Sequence, residues 1–122
     1  MYNIMVEGKF SAAHNLRGYK GKCEKLHGHN WRIEAVFSGE KLNKQGTLMD
    51  FQKARGKLEQ VLKNLDHTYL NELPAFKKIN STSENIARYI FTRLESISSD
   101  KNLQLKRVTV WETENASASY QK

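Results

Sequence analysis

Apolar and polar positions alternate over residues 2–13, with Tyr2, Ile4, Val6, Phe10 and Ala12 on one parity. A period of two predicts a strand with one buried face. Gly8 breaks the apolar set and predicts a bulge or local twist. His14 ends the run on the parity of Phe10 and Ala12. The alternation returns from His27 to about Ser38, where Trp31, Ile33, Ala35 and Phe37 share the parity of His27 and His29. One face of this second strand therefore carries histidines at one end and core residues along the rest.

The period then changes. From about Asp50 to Asn64, the residues Phe51, Ala54, Leu58, Val61, Leu62 and Leu65 recur at helical spacing, with Asp50 placed as a cap. Ser81 and Glu84 have capping-box spacing, and the helix they open runs to about Ile97 with Ile86, Ile90 and Leu94 on one face. Residues 103–114 alternate again, with Val108, Val110 and Glu112 on one face and Arg107, Thr109, Trp111 and Thr113 on the other. Residues 115–121 predict a fourth strand. The order is strand, strand, helix, helix, strand, strand. It predicts an α+β fold, a four-stranded antiparallel sheet with both helices on one face.

Composition narrows the class. A chain of 122 residues, 39% hydrophobic and 27% charged, suits one globular domain over residues 1–122. No apolar run approaches the ~20 residues that span a bilayer. The first residues lack the basic and apolar regions of a signal peptide, so the expectation is a cytoplasmic protein with no membrane partner. A single cysteine excludes an intrachain disulfide. The net charge of +7 is spread along the chain without a basic stripe. A solvated surface accounts for it better than a nucleic-acid interface does, and a polyphosphate substrate is the other partner that it would suit.

Candidate chemistry gathers where the first two strands meet. If they pair as a hairpin, His14 lands beside His27 and His29. Three imidazoles with an open fourth position suit a catalytic zinc; the alternative is three unrelated histidines. Cys23 lies in a polar loop among Lys20, Lys22 and Lys25, where positive charge favours a thiolate that could serve as base or nucleophile. Asp66 and His67 read equally as a proton relay or as ordinary helix C-terminal chemistry. Glu112 sits on an apolar parity and needs donors if it is buried; adjacent N–H groups of an amino-pyrimidinone, or an arginine, would satisfy it.

Taken together, these residues resemble the 6-pyruvoyl-tetrahydropterin synthase family. The matching stretches are Phe10-Ser11-Ala12-Ala13-His14, Cys23-Glu24-Lys25-Leu26-His27-Gly28-His29, Met49-Asp50-Phe51, Leu65-Asp66-His67-Thr68-Tyr69-Leu70-Asn71, Thr82-Ser83-Glu84-Asn85 and Trp111-Glu112-Thr113. They stand in family order and cover nearly the whole chain. The short gap between Cys23 and His27 is most similar to the branch that forms 6-carboxy-5,6,7,8-tetrahydropterin in queuosine biosynthesis.

That resemblance implies a tunnelling fold, in which subunits join sheets edge to edge into a barrel, commonly a homohexamer of two stacked trimers. It implies active sites at subunit interfaces, with Glu112 and Cys23 drawn from different copies. The implied reaction converts 7,8-dihydroneopterin triphosphate to the 6-carboxy pterin, acetaldehyde and triphosphate. His14, His27 and His29 would hold zinc, and Cys23 would be the general base. Asp66 and His67 would relay protons on the other face of the substrate. Glu112 would anchor the pterin, and Thr82 and Ser83 match the pterin-contacting segment. A pyruvoyl-forming enzyme on the same substrate and a non-catalytic zinc-dependent pterin-binding module are the alternatives.

Overall fold

The computed structural model describes all residues except Lys20, Lys22 and Cys23. The first two strands, β1 (Tyr2–His14) and β2 (His27–Gly39), pair antiparallel without a register shift, from Tyr2 opposite Gly39 to His14 opposite His27. The period-two reading holds: Val6, Phe10 and Ala12 are buried on β1, and Trp31, Ile33, Ala35 and Phe37 on β2. Gly8 makes no bulge, since it pairs in register with Ile33. Its use is steric. A Cβ there would stand 2.6 Å from Leu62 Cδ1, so glycine lets the following helix approach the strand.

That helix, α1, spans Phe51–Leu62, and the Asp50 carboxylate accepts the Gln52 N–H at 2.9 Å, as a cap should. Phe51 leaves the expected apolar face and is exposed, so the buried stripe begins at Ala54. The second helix, α2, spans Ser83–Ser96. Its cap is Thr82, which accepts the Asn85 N–H, rather than the expected Ser81–Glu84 pair. Ser81 is fully buried and is used elsewhere.

The sheet has five strands rather than four, in the order β3-β1-β2-β4-β5. The added strand, β3 (Thr68–Tyr69), runs parallel to Ala12–Ala13 at the edge of β1. Two residues have no period to read. What holds them is tertiary: Asp66 accepts the Ser11 N–H at 2.8 Å and the His67 N–H donates to the Ser11 carbonyl at 2.6 Å. The last two strands are β4 (Gln104–Thr113) and β5 (Ala116–Gln121).

Both helices cover one face, as the element order predicted. Ile33, Phe37, Val108 and Val110 form one core with Ala54, Leu58, Ile90 and Leu94. The other face is polar, and no helix among the described residues lies over it. There Arg32 meets Glu7 at 3.1 Å and lies 4.6 Å above the Trp111 ring. No helix among the described residues is long and apolar enough to cross a membrane.

Gly39 is the tightest close approach at the end of β2. A Cβ there would meet the Asn102 carbonyl oxygen at 2.6 Å and Leu48 Cδ1 at 2.7 Å. Gly39→Ala should therefore destabilise the chain by about 1–3 kcal/mol, measured as a lower urea midpoint. An unchanged midpoint would mean that the 102 loop yields freely.

Candidate metal centre

The β1–β2 register builds the centre. His14 and His27 are the last pair of the ladder, and His29 lies opposite Ala12, one step diagonal to His14 on the same face. The rings come together at centroid separations of 4.6 Å (His14–His27), 4.8 Å (His27–His29) and 5.3 Å (His14–His29). Trp31, the next residue of that parity, forms an apolar wall with its ring 5.0 Å from both His14 and His29. Ligand atoms of the three histidines and Glu112 all lie within 4.8 Å of one another.

Two of the rings are held from behind. His14 Nδ1 lies 2.8 Å from the Ser81 carbonyl oxygen, and His27 Nδ1 lies 2.7 Å from that of Lys25. A carbonyl only accepts, so each Nδ1 carries the proton and each Nε2 keeps a lone pair aimed into the cluster. This is how metal-binding imidazoles are usually oriented. The Ser81 carbonyl is itself anchored. Ser81 Oγ donates to Asn71 Oδ1 at 3.0 Å, and Asn71 Nδ2 donates to the Asn15 carbonyl at 2.8 Å. Tyr69 donates to Asn15 Oδ1 at 2.6 Å. Sequence reasoning assigned none of Asn15, Asn71 or Ser81 to the site.

Glu112 enters from β4. The β4–β5 ladder shifts register between Trp111 and Thr113, so Glu112 is the extra residue of a bulge, a device that re-aims a side chain. Its Oε1 stands 3.1 Å from His29 Nε2 and 3.5 Å from His14 Nε2. Yet both Nε2 atoms are buried without an aligned hydrogen bond. At His14 a lone pair thus faces a carboxylate, acceptor against acceptor. A cation between them resolves the conflict, and three imidazole nitrogens plus one carboxylate oxygen are a donor set that zinc accepts. Burial lowers the proton affinity of His14, with His27 and His29 adding to it, and burial lowers that of His29 against the opposing pull of Glu112. Both effects favour the neutral imidazole that binds a metal.

The remaining candidates lie apart. Asp66 Oδ2 is 2.9 Å from His67 Nδ1 while Oδ1 takes the Ser11 N–H, so the pair is formed. The Ser11 N–H first, and His67 second, hold the Asp66 carboxyl below its usual range. His67 is largely exposed and has a left-handed backbone, φ 57°, uncommon for a side chain of this size. It shares a groove of about 360 Å³ with Ser11, Ala12, Ala13, Gly28, His29 and Asn30. Of these, Ala12 and His29 have the parity of the histidine cluster and the other four the opposite one, and neither Asp66 nor His67 joins the cluster. Thr82 caps α2 and Ser83 is its first residue; neither joins the cluster. The expectation for Cys23 falls outside the described residues.

The family model described as 6-pyruvoyl tetrahydropterin synthase matches residues 3–122. A 6-carboxy-5,6,7,8-tetrahydropterin synthase of Synechocystis is 39% identical over 78% of this chain and 76% of its own. A dihydroneopterin monophosphate aldolase of Pyrococcus furiosus is 38% identical over 89% and 88%. The structure of 6-pyruvoyl tetrahydropterin synthase from Caenorhabditis elegans superposes with a TM-score of 0.89 at 32% identity, covering 99% of this chain and 95% of that one.

Two outcomes follow. Asn71→Ala should weaken the affinity of the cluster for a divalent metal ion about 10–100-fold, measured by chelator competition, because the carbonyl that orients His14 loses its anchor. For Asp66, a lowered folded-state value means that folding favours the ionised form. Its stabilisation is complete above the ordinary carboxylate range and is lost as pH falls through the lower folded-state value. The stability gap between the parent and Asp66→Asn should therefore be widest near neutral pH and close below about pH 4. A gap that does not vary with pH would contradict the assignment.

Proposed function

The chain belongs to the 6-pyruvoyl tetrahydropterin synthase family, and on that premise we propose that it is a zinc-dependent lyase forming 6-carboxy-5,6,7,8-tetrahydropterin from 7,8-dihydroneopterin triphosphate and water, with release of acetaldehyde and triphosphate. The observation that carries the zinc reading is the convergence of His14, His27, His29 and Glu112 on one point, with buried, unpartnered Nε2 atoms. The relatives have three different activities, so the choice of product rests on sequence. The Cys23-x-x-x-His27-Gly28-His29 spacing, short between thiol and histidines, favours the carboxy-forming branch.

His14, His27 and His29 would hold the zinc. When bound there, it supplies Lewis acidity that loosens the C–H bonds beside the substrate's side-chain oxygens. Cys23 takes a proton at Sγ from one face of that side chain. Asp66 Oδ2 keeps the proton of His67 on Nδ1, which leaves Nε2 to exchange protons on the other face. Because neither residue joins its own chain's cluster, the pair would serve the cluster of an adjoining copy. A homohexamer of two stacked trimers, joined at sheet edges, is the assembly that would bring them together. Glu112 accepts the pterin's amino and ring N–H groups. Ser83 adds a contact, while the Thr82 hydroxyl is held in its helix cap. Such an enzyme works in the cytoplasm and feeds queuosine formation.

Zinc-loaded protein given 7,8-dihydroneopterin triphosphate should release acetaldehyde and the 6-carboxy pterin, identified by mass spectrometry. A 6-pyruvoyl product would select the second reading, which the likeness to the Caenorhabditis elegans enzyme favours. No turnover would sink both. Cys23→Ala and His67→Ala should each lose about 10²–10⁴-fold in rate. Mixing the two variants during assembly should restore part of the activity, because an intact thiol and an intact imidazole then meet across an interface. No recovery would contradict shared sites.

A further inference from the structure

Glu112 has two uses that compete. As a pterin anchor it must face the substrate's N–H groups. In the structure it faces the histidines instead, 3.1 Å from His29 Nε2 and 3.5 Å from His14 Nε2. Among the described residues its carboxylate has no other ion pair. The His14 proton is committed to the Ser81 carbonyl, so His14 offers Glu112 a lone pair and not a donor. Two acceptors this close are reconciled by a cation that both bind. Three nitrogens and one oxygen, all within 4.8 Å of one another, would also be a complete four-coordinate set. A complete set has no place for substrate, and a catalytic site needs one.

We propose that Glu112 is an exchangeable fourth ligand: it closes the metal centre in the resting enzyme and transfers to the pterin's N–H groups when substrate binds. The proposal rests on the zinc reading and deepens it. The exchange makes and breaks no covalent bond. The carboxylate remains ionised in both positions, and its transfer would leave the three histidines holding the metal with a fourth position free for substrate. The bulge at Glu112 supplies the freedom: the ladder skips between Trp111 and Thr113, and the side chain is about one-third exposed at 32%. The consequence is a coupling. The site that recognises the pterin ring is the group that blocks the metal, so the Lewis-acid position opens only when a pterin is seated.

The test uses cobalt(II) in place of zinc, with the parent, Glu112→Gln and Glu112→Ala, and no turnover. The parent's visible spectrum should differ from both variants, and each variant should bind the metal at least about tenfold more weakly by chelator competition. Adding unsubstituted pterin, which has the N–H edge but no side chain, should shift the parent's spectrum and leave the variants unchanged. Equal spectra and affinities across all three proteins would overturn the proposal while leaving the three-histidine site intact. Failure of the parent to bind metal, or retention of full stoichiometry in His27→Ala, would overturn the zinc reading and this inference together. The metal-free thermal midpoints of both variants are measured alongside. Glu112→Ala carries the test if Glu112→Gln folds poorly, and the reverse.

Discussion

The structure depends on the unshifted antiparallel register between β1 and β2. Side chains on a strand alternate with a period of two, so a slip by one residue would send His14 and the β1 core residues to the wrong face. The thirteen-residue strands resist that slip because Val6, Phe10 and Ala12 must share a face with Trp31, Ile33 and Phe37. The metal centre inherits this precision at no extra cost. Its histidines are the terminal members of the same apolar stripe, so core burial that sets the register also sets the ligand geometry.

The centre is organised by unsatisfied electrostatics. In most of a protein interior a buried polar atom has a partner. Here the Nε2 of His14 is buried without one, its lone pair against a carboxylate that also accepts. The polar groups behind the rings are, by contrast, paired in a chain: Ser81 to Asn71, Asn71 to Asn15, Asn15 to Tyr69. Satisfaction on one side and deficit on the other is what pre-organisation for a cation looks like. The rings are held in place before a ligand arrives, and the cost of leaving nitrogen lone pairs dry falls at the point where a metal repays it.

The candidate residues fall into two groups. The histidines and Glu112 converge on the face that the helices cover. Asp66 and His67 sit at the β1 edge, outside that cluster, beside a groove that Ser11, Gly28 and His29 also line. For the proposed acid–base role of this pair, another copy would supply it to the cluster. In this family's proposed barrel, edge pairing would therefore be part of the active site as well as of the assembly.

Much of this was legible in the sequence, for a physical reason. Alternation along a strand and helical spacing are local, so the four principal strands, both helices and the shared face of His14, His27 and His29 could be read directly. Glu112 could be placed on the inner face of β4, since Val108 and Val110 share its parity. What the sequence could not determine depended on contacts between distant residues. His14 meets Ser81 across 67 positions and Asn71 meets Asn15 across 56, and neither contact leaves a periodic trace. The short β3 was invisible because its cause is the grip of Asp66 on Ser11 across 55 positions. Gly8 read as a bulge or local twist, though its role is to admit Leu62 of a later helix. The bulge that mattered fell at Glu112, and only the pairing of β4 with β5 reveals it.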